Sequence, residues 1–167
     1  MKAQDLVKKI NELKGKKAQM DLSKDEDLSI ALMNLISLEE HFYFSAMKTN
    51  DKKYLSMLSA VRELRKKLLA KIVKNTGDGS EKWCISKHLL AASMRLIEVG
   101  TKEMSDGNEK EANFLFESGF NLWSLFFGIN LDLVEPGKID KIAVEETKTF
   151  TGKMSQIIKK IVDCCKE

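Results

Sequence analysis

At 167 residues and 43% hydrophobic content, the chain is the size of one domain and can bury an ordinary core without disulfide staples or a structural metal. A formal charge of +3, with every basic residue except Arg62, Arg65 and Arg95 a lysine, gives little support to polyanion binding, and three cysteines, two of them adjacent, make no disulfide framework and point to the cytoplasm. The longest apolar run, "FNLWSLFFGINL" at 120–131, is too short to span a bilayer, so the expected partners exclude a membrane.

One proline, nine glycines and almost no alternation of β-branched residues predict an all-α chain. In chain order, Ala3, Leu6, Val7, Ile10 and Leu13 repeat at three and four, which predicts a short amphipathic helix over 2–14 within an N-terminal segment 1–20. The remainder, 21–167, reads as one bundle domain. "SKDE" at 23–26 has the form of a capping box, Ser23 with Glu26, opening a helix to about residue 48. After "TNDKK", a third helix over about 51–75 carries Tyr54, Leu58, Val61, Leu68 and Ile72 on one face and ends at "NTGDGS". A fourth occupies about 81–104. Gly107 is its expected stop and Asn108, with Glu111, the expected cap of a fifth that runs to about 130. Pro136 and Gly137 turn the chain into a last helix over about 139–165, paced by Thr147, Phe150, Met154, Ile157, Ile161 and Cys164. The expected architecture is four central antiparallel helices with a short N-terminal and a long C-terminal amphipathic helix.

Around the junction of the fourth and fifth helices, Gly100, Gly107, Ala112, Phe116 and Gly119 fall at the spacings of a tetratricopeptide helix pair, and residues 93–126 resemble one such hairpin. Small residues would let two antiparallel helices approach, with Phe116 filling the space between them. Glu103 and Ser124 replace the family's usual aromatic and proline. With no second copy at that period, the resemblance implies a packing geometry rather than a peptide-binding groove.

The informative polar residues sit on apolar faces. Glu39 lies in the arc of Leu28, Leu32, Leu35, Phe42 and Ala46, and Arg65 in that of Tyr54, Leu58, Val61, Leu68 and Ile72. Opposite charges central to the facing stripes of consecutive antiparallel helices predict a buried pair, because either charge left alone there costs several kcal/mol. On the fourth helix Cys84, His88 and Arg95 border the apolar line, with Ala91 between the last two and Glu98 further out. Ser86, Ser93 and Gly100, seven apart, form a row of small residues that favours close approach of a neighbour. On the fifth, Asn113, Glu117, Asn121 and Ser124 form one narrow polar strip.

These residues allow a small-anion or catalytic pocket in which Arg65, Arg95 and Asn121 hold the ligand and Glu39, His88 or Glu117 moves a proton. His88 and Arg95 are expected to wall a polar crevice with an acidic neighbour such as Glu117. Cys84 and His88 alone supply too few ligands for a metal, and no motif for a cofactor is present, so none is expected. Nucleic acid would have to use the basic helix at 50–76, through Lys67, Lys71 and Lys74, where arginine and interleaved aromatics are scarce. The leading expectation is a non-enzymatic interaction module that binds itself, as a dimer, or another protein through its amphipathic terminal helices.

Overall fold

The computed structural model describes residues 22–74, 80–134 and Ile158. The expected terminal helices at 2–14 and 139–165, most of "NTGDGS" and the turn at Pro136 and Gly137 lie outside the described residues, apart from Ile158. The described residues form four helices and no strand: α1 Ser23–Thr49, α2 Lys53–Ile72, α3 Glu81–Ser105 and α4 Glu109–Asn130. The protein is an all-α helical bundle.

The helix ends follow local chemistry, though not always the expected one. Leu22, in αR conformation, occupies the N-cap of α1 without a side-chain cap bond, so the capping box of Ser23 and Glu26 does not serve as the cap. Glu26 is instead drawn inward, with 5% of its surface exposed. Between α1 and α2, Asn50 takes a left-handed conformation at φ 53°, and Asp51 Oδ1 accepts from the Lys53 amide at 2.9 Å. The Lys53 ammonium, hydrogen-bonded to the same carboxylate, holds the Asp51 carboxyl below its ordinary value. This turn starts α2 at Lys53, two residues later than expected. At its far end Val73 leaves helical geometry and packs inward, stopping the helix three residues early.

Ser80 caps α3, its hydroxyl accepting from the Trp83 amide at 3.2 Å. Gly107 at φ +82° ends the helix as expected, since a left-handed residue is needed there. The amides of Gly107 and Asn108 return to the carbonyls of Met104 and Glu103, the paired bonds of a Schellman stop. Asn108 does not cap α4 through its side chain; its amide group donates to Glu103 Oε2 at 2.8 Å and ties the turn back onto α3.

Consecutive helices are antiparallel. Glu39 meets Arg65, and Phe42 stacks on Tyr54, across α1 and α2. Ser86 accepts from Asn130, and Ser93 donates to the Gly119 carbonyl, across α3 and α4. Trp123 Nε1 donates to Ser29 Oγ at 2.8 Å, and this buried bond fastens the second hairpin to the first. The core gathers around Leu32, Met33, Leu69, Ile72, Leu90, Phe126, Phe127 and Ile129, with Ile158 buried in the same cluster. All of it belongs to the end of the bundle where α1 and α3 begin, opposite the 50–52 and 106–108 turns.

The row of small residues on α3 does what its spacing implies. Ser86, Ser93 and Gly100 are all buried, and a Cβ placed on Gly100 would lie 2.7 Å from Phe116 Cε1. Phe116 thus fills the space above the glycine, the packing expected of residues 93–126. Gly100→Ala should therefore destabilise by about 1–3 kcal/mol, since the ring must move out of its place between two helices. Urea denaturation measures this; a midpoint equal to wild type would mean that Phe116 yields without cost.

Candidate functional site

The predicted pair on α1 and α2 is present as a two-point contact. Arg65 Nε donates to Glu39 Oε1 at 2.8 Å and its NH2 to Oε2 at 3.2 Å. The Arg65 side chain is 3% exposed and that of Glu39 12%, so the guanidinium is lost to water and the carboxylate nearly so. Arg62 stands at the rim, 3.9 Å from Glu39 Oε2. The planar fork matches both carboxylate oxygens, an arrangement that lysine could not provide.

The next residue along α1 pairs in another direction. Glu40 reaches α3, where Arg95 Nε donates to its Oε2 at 2.9 Å and Arg95 NH2 contacts the same oxygen. The acidic neighbour of Arg95 from another helix is therefore Glu40 and not Glu117, which is exposed on α4, while Glu98 on α3 itself lies 4.0 Å from Arg95 NH1. The cause is azimuth: successive helical residues point about 100° apart, so Glu39 faces α2 while Glu40 faces α3. His88 and Cys84 are exposed on α3. The candidate pocket residues thus divide into the pair Glu39–Arg65, the pair Glu40–Arg95, and His88 and Glu117 at the surface of separate helices. Among the described residues, no three His, Cys, Asp or Glu side chains converge to hold a metal ion.

The polar strip of α4 runs from water into protein. Asn113 and Glu117 are exposed, Asn121 is half-buried and Ser124 is fully buried, its hydroxyl without a hydrogen-bond partner among the described residues. Lys67, Lys71 and Lys74 are exposed along α2, but Arg65 beside them is committed to Glu39. A cavity of about 400 Å³ opens where α2 ends, lined by Asp25, Lys74, Lys82, Asn130 and Asp132 among others. Lys82 is paired with Asp132 at 2.9 Å, and the acidic and basic side chains of this lining balance.

The feature that sequence reasoning missed is a second stripe on α1. Leu22, Glu26, Ser29, Met33 and Ile36 are buried and follow one another at intervals of four and three. The same row continues through Glu40, Tyr43 and Met47, with Phe44 beside it. It is half-buried at Glu40 and then emerges: Tyr43 is 49% exposed, Phe44 58% and Met47 57%. The row of Ser86, Leu90 and Ser93 on α3 behaves differently: it faces α4 and stays covered at Gly100 under Phe116, with Ile97 and Met104 partly exposed along it. Beyond Glu40 the face of α1 that makes the core at one end of the bundle is uncovered at the other. The spacing of a heptad row was present in the sequence, but Glu26, Ser29 and Glu40 interrupt its apolar character and conceal it.

Isolated apolar residues at a surface need no explanation, but Tyr43 and Met47 continue the core-facing row of α1. Tyr43 and Phe44 rings contact each other edge to face at 5.3 Å. Chemically the open end can bury apolar side chains and, at Glu40, accept a cation; it holds no arrangement of nucleophile and base. No helix among the described residues is long and apolar enough to cross a membrane. No family model, curated protein or solved structure matches the chain.

Proposed function

We propose that the protein is an interaction module whose open end, carried by the second half of α1, receives an amphipathic helix. The supporting observation is the passage of the α1 row from buried Met33 and Ile36 to exposed Tyr43, Phe44 and Met47 without a change of face. A partner helix laid along this row would continue the packing that the bundle itself uses lower down, the helix-in-groove mode of recognition. The binding surface therefore lies on the central helices, while any part played by the terminal segments lies outside the described residues.

The reading is tested with anilinonaphthalene sulfonate, a dye that fluoresces on accessible apolar surface, across a dilution series. Dilute protein should bind it. The triple variant Tyr43→Ser, Phe44→Ser, Met47→Ser should lose most of that signal while its thermal midpoint shifts by only a few degrees, since exposed residues carry little of the fold. Equal, low fluorescence of wild type and variant at every concentration would show that the open end offers no apolar surface.

A further inference from the structure

We infer that the helix received at the open end is α1 of a second copy, laid antiparallel on α1 about a twofold axis beside Phe44. This rests on the interaction-module reading and names its partner. Residues four apart line up along a helix, so Glu40, Phe44 and Lys48 form one row. Glu39, Phe42 and Ala46 are turned toward α2, which leaves Phe44 on the other side of α1. Antiparallel pairing centred on Phe44 sets each Glu40 against the Lys48 of the other copy, twice by symmetry. Parallel pairing would set Glu40 against Glu40 and Lys48 against Lys48.

A twofold interface requires a surface complementary to itself, and this row has the required pattern, with opposite charges equidistant from an apolar centre. The charges are available. Lys48 is exposed and has no ion-pair partner among the described residues, and the two contacts that Arg95 makes with Glu40 both fall on Oε2, leaving Oε1 open to a cation. The exposed parts of Tyr43, Phe44 and Met47 amount to roughly 350 Å² in each copy, judged from their side-chain sizes. Two copies would bury about 700 Å² through these residues alone, below the range of stable interfaces, so the dimer should be weak and reversible on dilution.

Analytical ultracentrifugation of the full chain tests this. Wild type should sediment as a dimer at about 50 μM and as a monomer well below 1 μM, a range set by the modest area. Phe44→Glu, which brings two carboxylates to the axis, should be monomeric throughout. Lys48→Glu should weaken association about tenfold, and high salt should weaken wild type in the same direction. Both positions are exposed, so both variants should keep wild-type helicity. In the third arm, with Cys84, Cys164 and Cys165 replaced by serine, oxidised Phe44→Cys should link through residue 44 to itself by peptide mapping, whereas Ile30→Cys, at the closed end of the same helix, should not. A monomer at 100 μM, a dimer indifferent to Phe44→Glu and Lys48→Glu, or links that map elsewhere would each overturn the inference. A monomer that still binds the dye at the open end would overturn it while leaving the interaction-module reading in place.

Discussion

Arg65→Ala should lower stability by about 3–5 kcal/mol, the cost of breaking a buried charge pair by removing one member. The loss has two sources. The packing of the buried arginine stem is lost, and the Glu39 carboxylate, 12% exposed, is left with only Arg62 nearby. Glu39→Gln should cost about 3 kcal/mol for the opposite reason, because it leaves the 3% exposed Arg65 guanidinium buried without a counter-charge and with a second cation beside it. In a domain of this size that is a fall of about 10 °C in Tm. Replacing both partners with methionine should recover most of the loss, since two apolar side chains of similar length leave no charge to compensate. Thermal denaturation of the three variants checks this. A double variant no more stable than either single one would mean that the pair contributes orientation as well as neutralisation, and an unchanged Arg65→Ala would remove the energetic argument.

Trp123→Ala should be as damaging, at about 3–5 kcal/mol, because a large aromatic at the junction of the two hairpins is deleted. Trp123 is 8% exposed, its ring stands edge to face on Phe127 at 5.0 Å, and its Nε1 donates to Ser29 on α1. The hydrogen bond can be separated from the volume. Ser29→Ala leaves a buried indole N–H without an acceptor and should cost about 1–3 kcal/mol. Trp123→Phe leaves the Ser29 hydroxyl still donating to the Glu26 carbonyl at 2.7 Å, so its cost should come from lost volume alone. A double-mutant cycle between Ser29→Ala and Trp123→Phe measures the bond itself, and a coupling indistinguishable from zero would mean that the indole finds another acceptor.

The two hairpins explain why the open end exists. Each hairpin is closed along its own length, α1 on α2 by Phe42 and Tyr54 and α3 on α4 by Gly100 and Phe116. Between the hairpins, the buried contacts are concentrated around Ser29, Trp123 and the core cluster. Glu40 and Arg95 mark where this common packing gives way to solvent, as both side chains are nearly half exposed. The same residue types that would be core at one level are surface at the next.

Much of this was legible in the chain. The four helices, the Gly107 stop, the burial of Ser86, Ser93 and Gly100 and the meeting of Glu39 with Arg65 all follow from spacing within a helix and from turn chemistry. A period near 3.6 determines which side chains share a face, and a charge central to an apolar face must find an opposite charge wherever that face is covered.

What spacing could not supply is the identity of the neighbour on each face and the length over which it stays in contact. That Arg95 takes Glu40 rather than Glu117, that Ser29 of α1 receives the Trp123 indole, and that the row from Leu22 to Met47 is buried only to about Ile36 were decided by the tertiary structure. The reason is geometric. Azimuth around a helix is a property of its own sequence, whereas the crossing angle between helices, and so how far along the roughly 40 Å of α1 a neighbour stays in contact, arises from the side chains of both.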